Sequence, residues 1–133
     1  KSIDPILFRT FKNLIELNLS RNLIKSIHSN LFKNLNRLKY LDLSNNKLES
    51  LEENLFDELC DLESLNLSYN HLKQLNIEIF DNLVNLKELN LGLNKLESDN
   101  YFKNLTKLEN LSLPGNNWYS ISENTFNNHQ KLL

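Results

Sequence analysis

Residues 62–80 read LESLNLSYNHLKQLNIEIF, and the order of apolar and polar residues in this segment predicts the fold. It places leucines at 62, 65 and 67, an asparagine at 70, two more leucines at 72 and 75, and a phenylalanine at 80. The same order returns at 38–56 (LKYLDLSNNKLESLEENLF) and at 14–32 (LIELNLSRNLIKSIHSNLF). The repeat length is therefore 24 residues, which is typical of a solenoid, where each unit buries its apolar face only against its neighbours.

The repeats run through the whole chain and predict a single array over 1–133. We expect a partial repeat at 1–13, full repeats at 14–37, 38–61, 62–85, 86–107 and 108–131, and the start of another at 132–133. The fourth repeat is two residues short between Leu96 and Phe102, so we expect a tighter convex loop there, covered by Tyr101. Because the chain starts within a repeat and contains no Met, we expect a fragment or a processed product.

Each column of the repeat has a physical reason. Alternate leucines such as Leu17 and Leu19 point to one side of a short strand, and stacked strands form a parallel sheet over them. The asparagines predict a turn in which a buried amide satisfies backbone groups: Asn22, Asn46, Asn70, Asn94 and Asn116. The phenylalanines predict an aromatic spine under the convex side: Phe8, Phe32, Phe56, Phe80, Phe102 and Phe126. We also assign Phe11, Trp118, Ile121 and His129 to inward positions. The predicted fold is an α/β solenoid, a right-handed horseshoe with a concave parallel sheet and an irregular or 3₁₀ convex side.

These columns resemble the leucine-rich repeat family over essentially the whole chain. The 24-residue form with a Phe in its second half is similar to the class typical of animal extracellular proteins, which includes Toll-like receptors. The resemblance implies a secreted protein or a receptor ectodomain that binds a protein ligand or co-receptor. It also implies that ligands bind on the concave sheet or its edge.

Catalytic and cofactor motifs are missing from the sequence. The net charge is −2, which gives no indication of nucleic-acid or membrane binding. The three histidines and Cys60 form no nucleophile or zinc motif, and two glycines cannot make a phosphate-binding loop. We therefore predict no enzyme activity, no catalytic residues, no metal and no cofactor. We expect Cys60 to be a half-buried apolar residue.

Seven carboxylates lie between Leu48 and Leu72, where the chain has no Lys or Arg. We interpret this run as a solvated face, with an acidic docking patch as the alternative. Of the four N-x-S/T sequons, those at Asn18, Asn66 and Asn110 lie on predicted strands. Asn104 is predicted to lie on the convex side, which makes it the glycosylation candidate of a secreted protein.

The residues between the inward leucines carry the ligand prediction. We expect them, together with Ser44, Ser68 and their equivalents, to face outward from the sheet. Tyr and Arg are enriched at binding hot spots, so Arg21, Tyr40, Tyr69 and Leu93 are the primary candidates. The acidic outward residues complete the predicted ligand-binding set: Glu16, Asp42 and Glu88. The alternative is that all of these are ordinary exposed side chains.

The favoured function is non-enzymatic protein recognition by a receptor or secreted protein, with Toll-like immunity as one setting. Two alternatives remain open at this stage. One is a structural or matrix scaffold that forms a homodimer through its sheet. The other is a regulatory array attached to a larger signalling enzyme.

Overall fold

The computed structural model describes residues 3–132 as one parallel sheet backed by turns. Its five strands are β1 (Glu16–Asn18), β2 (Tyr40–Asp42), β3 (Ser64–Asn66), β4 (Glu88–Asn90) and β5 (Asn110–Ser112). They pair in chain order, and the central leucines of the first four strands are in register at 24-residue intervals. The solenoid prediction is confirmed.

The strands are short because each is the inner wall of one coil of the solenoid. Leu41, Leu65 and Leu89 at the strand centres are almost fully buried, while the residues on either side are exposed or half-buried. The leucine after each of these strands is also inside the core: Leu43, Leu67 and Leu91. Stacking of repeats therefore buries one continuous apolar core behind the sheet.

A ladder of asparagine side chains joins successive repeats at the turn after each strand. The Asn70 amide Nδ2 donates to the carbonyls of Leu67 and Ser68 in its own repeat, and to Leu43 in the preceding one. Its Oδ1 accepts the backbone N–H of Leu48 at 3.1 Å. Asn46 and Asn94 make the same set of bonds with their own neighbours. A residue with both a donor and an acceptor is required here, because these buried backbone groups would otherwise be unpaired.

The convex side is made of tight turns over a phenylalanine spine. One 3₁₀ helix, Ser29–Phe32, has His28 as its N-cap, and the matching segment of the next repeat forms an i→i+3 turn from Leu55 N–H to the Glu52 carbonyl. The rings of Phe32, Phe56 and Phe80 stack with centroids 6.2–6.3 Å apart, and Phe102 stacks on Phe126 at 6.0 Å. These contacts confirm the predicted spine from Phe32 to Phe80 and from Phe102 to Phe126, whereas Phe8 packs edge-on against Phe11. Phe8 and Phe126 are only half-buried.

The shortened fourth repeat is closed by two side chains. Tyr101 is 4% exposed and packs edge-on against Phe102, as expected from the missing residues. Asp99 accepts hydrogen bonds from the Ser122 backbone N–H and the Thr125 hydroxyl in the fifth repeat. These bonds lower the pKa of the Asp99 carboxyl, although burial alone would raise it. The gap is therefore filled by an aromatic ring and a carboxylate.

Several burial predictions fail at the two ends of the described stack. Asn22, Phe11 and Ile121 were assigned to inward columns, but all three are exposed. A unit at either end of residues 3–132 has a neighbour on one side only, so half of its column contacts are missing. His129 does follow the inward column: it is buried, and its Nε2 lies 2.9 Å from the Phe102 carbonyl oxygen. Trp118 is half-buried against the core and donates its indole N–H to the Leu113 carbonyl.

Two further predictions are wrong for local reasons. Cys60 is exposed, because it lies in the turn between two inward leucines, Leu59 and Leu62, and does not share their direction. Ser44 and Ser68 are buried, since the chain has already begun to turn under the sheet at these positions. In these repeats the first and third residues of each strand, and the residue after each serine, are exposed or half-buried.

Candidate functional site

The concave face presents one row of side chains whose members come from the first position of each strand. The strand pairing places Glu16 beside Tyr40, Tyr40 beside Ser64, and Ser64 beside Glu88. Tyr40 is 46% exposed, and the Ser64 hydroxyl donates to the Glu88 carboxylate at 3.1 Å. We call this set the concave row: Glu16, Tyr40, Ser64, Glu88 and Asn110. Three predicted ligand-binding residues, Glu16, Tyr40 and Glu88, therefore share one row.

The third position of each strand has a structural role that the sequence analysis missed. Asp42 was predicted to contact a ligand, but its Oδ1 accepts the Ser44 backbone N–H at 2.8 Å. Asn18, Asn66 and Asn90 bond the residue two places later in the same way. Such Asx turns explain why only Asn or Asp occupies this position in the first four strands. The recurring L-[ND]-L-[SG] sequence was the available signal.

The remaining ligand-binding candidates lie at the edge of the sheet where the strands end. Their backbone has the left-handed conformation. Arg21, Asn45, Tyr69 and Leu93 all have φ between 53° and 55°, and Gly115 has φ 71°. We call these five residues the edge column. Tyr69 is 55% exposed and Leu93 is 44% exposed, and the Leu93 side chain lies against Gly115, where a Cβ would come within 2.6 Å of it. Arg21, Tyr69 and Leu93 are thus brought to one edge, apart from the concave row.

Beside the edge column is an open groove of about 500 Å³. Its apolar wall is formed by Tyr69 and Leu93, with Leu23 at one end. Its lining contains two lysines and one histidine, Lys47, Lys95 and His71, and no Asp or Glu. These three residues each follow a ladder asparagine, so the repeat places them in adjacent coils. The sequence analysis did not single them out, although their 24-residue spacing was visible.

The opposite edge of the sheet carries a row of ion pairs. Glu63 lies between Lys39 and Lys87, with oxygen–nitrogen distances of 2.9 and 2.7 Å. The bonds from Lys87 and Lys39 lower the pKa of the Glu63 carboxyl to about 2, and contact with Glu63 raises the pKa of both lysines. Since the three residues are 24 apart, each pair connects neighbouring repeats.

The acidic run between Leu48 and Leu72 is partly explained by similar connections. The Glu52 carboxylate accepts the Ser29 backbone N–H at 2.7 Å, which lowers the pKa of Glu52. The Glu58 carboxylate accepts the Asn34 backbone N–H at 2.6 Å. These carboxylates join the second repeat to turns of the first, so the run is not simply a solvated face.

Residues 3–132 contain no cluster of three His, Cys, Asp or Glu side chains placed to hold a metal ion. Over the same residues, no helix is both long and apolar enough to span a membrane. Neither result identifies a function.

A family model described as leucine rich repeat matches residues 1–48, 12–72 and 60–118. The chain belongs to the leucine-rich repeat family. No curated protein matches its sequence significantly. Among solved structures, this leucine-rich repeat chain is similar to one in the Toll–Spätzle complex, described as a molecular hub in Drosophila development and innate immunity. That likeness has a TM-score of 0.84 and 25% identity over 87% of this chain.

The chain is also similar to the APL1 leucine-rich repeat domain. The TM-score is 0.87, with 27% identity over 93% of this chain. This leucine-rich repeat chain spans only 17% of the matched chain of the Toll–Spätzle complex and 33% of the APL1 chain.

Proposed function

We propose that this leucine-rich repeat array is a non-enzymatic module that recognises a protein ligand or co-receptor. The observation that carries the proposal is the concentration of exposed Tyr40, Tyr69, Leu93 and Arg21 on the concave side and its edge. Exposed aromatic and Arg side chains on a rigid sheet are well suited to binding, because little conformational freedom is lost on contact. Glu16 and Glu88 add charge at one end and near the other end of the concave row.

We further propose that the module works outside the cell, in a secreted protein or a receptor ectodomain. Its likeness to chains named Toll and APL1 supports this setting, and makes innate immunity the first biological context to test. The glycosylation candidate Asn104 is exposed on a convex turn, so a glycan there would leave the concave row uncovered. By contrast, the amide oxygens of Asn18 and Asn66 accept backbone hydrogen bonds within the Asx turns. Intact-mass measurement of secreted protein, before and after glycosidase treatment, would decide whether Asn104 is modified.

The recognition proposal is tested by comparing partner capture by the unmodified module, one double variant and one single variant. The Tyr40→Ala/Tyr69→Ala variant should lose proteins that the unmodified module retains from extracellular fluid of its source, quantified by mass spectrometry. Tyr119→Ala is the matched control. Tyr119 is 92% exposed but lies outside the sheet, in a bend that follows β5. Equal capture by all three proteins would contradict the proposal.

The scaffold alternative makes a different prediction for the same proteins. A homodimer formed through the sheet should appear in sedimentation velocity as a concentration-dependent species, and Tyr40→Ala/Tyr69→Ala should dissociate it. A monomer at every concentration would contradict that alternative.

A further inference from the structure

We infer that the groove beside the edge column is a docking site for an extended acidic peptide segment that carries an apolar side chain. The inference rests on the proposed recognition function and names the chemistry of its partner. It assigns a role to Lys47, His71 and Lys95, which the concave row does not use.

The residue types at positions 69 and 93 indicate a binding role for Tyr69 and Leu93. Both have φ 55°, a conformation that is unfavourable for residues with a branched or bulky side chain and readily adopted only by Gly, Asn or Asp. Asn45 in the same column shows that the fold accepts asparagine there. Yet these two positions carry large apolar side chains that remain about half exposed. The backbone conformation therefore costs stability at two positions whose side chains are exposed, and such costs persist where a site needs the residue.

The charge of the residues that line the groove favours an acidic partner. The groove lining contains Lys47, His71 and Lys95 and no Asp or Glu, although the chain as a whole has 17 Asp and Glu residues against 15 Lys and Arg residues. A partner that is negatively charged along this line matches the groove, whereas a basic partner would be repelled. Exposed lysines act mainly on association rate and specificity, so the apolar wall must supply much of the affinity.

The distance between Lys47 and Lys95 along the groove fits the repeat of an extended peptide. Neighbouring parallel strands lie about 4.8 Å apart, so Lys47 and Lys95, two coils apart, are separated by about 10 Å along the groove. A peptide in the polyproline II conformation advances about 3.1 Å per residue with three residues per turn, so carboxylates three residues apart point to the same side and match the two lysines. Apolar side chains between those carboxylates lie on the neighbouring sides of the peptide, where one of them can pack against Tyr69 and Leu93. The geometry therefore favours a short acidic–apolar–acidic segment running across the repeats.

The test uses a displayed library of random twelve-residue peptides selected against the whole 133-residue chain. The enriched peptides should carry a net negative charge and at least one large apolar residue. For the most enriched synthetic peptide, fluorescence anisotropy should show that Lys47→Glu/Lys95→Glu raises Kd by about tenfold or more. The matched control, Lys12→Glu/Lys103→Glu, makes the same change in net charge on exposed residues outside the groove lining and should leave Kd within about twofold.

A second variant separates binding from folding. Leu93→Asn removes the aliphatic half of the apolar wall but introduces a residue type that the edge column readily accepts, so it should weaken peptide binding without lowering the midpoint of thermal unfolding. Enrichment of neutral or basic peptides would overturn the inference, as would a Kd unchanged in both groove variants.

The remaining outcomes distinguish this inference from the recognition proposal. If peptides bind, and Tyr40→Ala abolishes binding while the groove variants do not, the concave row is a recognition surface and the groove inference is wrong. If no peptide is enriched, the groove inference is also wrong. In that case, a dimer in sedimentation that Lys47→Glu/Lys95→Glu dissociates would identify a second copy as the occupant. The partner capture described above would still decide the recognition proposal.

Discussion

The buried asparagine after each strand contributes through several bonds at once. Asn70 pairs three carbonyls and one N–H group from two repeats, and all of them lie inside the stack. Within residues 3–132, the Asn22 side chain donates to two carbonyls, those of Leu19 and Ser20 in its own repeat, and it is exposed to water. The same residue type in the same column should therefore have very different effects on stability.

We expect Asn70→Ala to lower the free energy of unfolding by about 3–4 kcal/mol, because several buried backbone groups would lose their partner. Asn22→Ala should cost less than about 1 kcal/mol, since water can replace its bonds. Urea unfolding followed by circular dichroism would measure both. Similar losses for the two variants would show that the ladder does not depend on burial.

The edge column gives the opposite prediction for exposed residues. Tyr69→Asn and Leu93→Asn should each raise the free energy of unfolding by about 0.5–1 kcal/mol, because asparagine tolerates their positive φ. Tyr40→Asn is the matched control: Tyr40 is similarly exposed but lies in strand β2, where asparagine is disfavoured. The same urea titration applies, and a loss of stability in both edge variants would show that their side chains are needed for packing.

At the scale of the element, the ion pairs along the opposite edge connect β2, β3 and β4 just before each strand begins. Glu63 is the shared partner of Lys39 and Lys87, and its pKa in the folded protein is about 2, against an ordinary value of 4.5. A carboxyl whose pKa is lowered by folding stabilises the folded state at any pH above its pKa in the unfolded chain. That stabilisation is lost as the pH falls through its pKa in the folded protein. The contribution of Glu63 should thus be complete above pH 5 and disappear between pH 4.5 and 2.

The comparison that measures this contribution is wild type against Glu63→Gln. The wild type should melt at a higher temperature at pH 6, and the difference should shrink to nothing near pH 2. It should also shrink in 1 M salt, since the pairs are exposed to solvent. Glu53→Gln, which removes one carboxylate at an exposed convex turn, is the matched control for the change in net charge. A wild-type advantage that persists at pH 2 would mean that Glu63 acts by packing.

The sequence predicted the strands and the core columns better than the residues of the candidate site, because the two groups are under different physical constraints. Columns such as Leu41, Leu65 and Leu89 repeat because every coil must fill the same space, so one chain contains several copies of the evidence. Surface positions such as those of Tyr69 and Lys95 also recur in each coil, but no core has to be filled there, so the residue type can differ from coil to coil. The Asx turn of Asp42 is a local bond that residue type alone does not distinguish from ligand binding, and its ligand contact stays a prediction.

At the scale of the whole molecule, stability should vary along the stack. The middle coils have neighbours on both sides, and Leu65 is fully buried, whereas Leu17 and Leu111 in the outermost strands are only half-buried. We expect hydrogen exchange at the amides of Leu43 and Leu67 to be about tenfold slower or more than at the amides around β5. Exchange measured by mass spectrometry on short peptides would show this gradient. Uniform protection from β1 to β5 would indicate that the array opens as one unit.

The division of labour within each coil bears on how such a protein can change over evolutionary time. Leucine, asparagine and phenylalanine columns hold the coil together, and the Asx turns use the third strand position. Only the concave row, the edge column and the position after the ladder asparagine are released from that task. Mutations at these positions can alter partner preference one coil at a time, while the shape that presents them is inherited unchanged. Duplicating a coil would likewise lengthen the recognition surface without requiring a new fold.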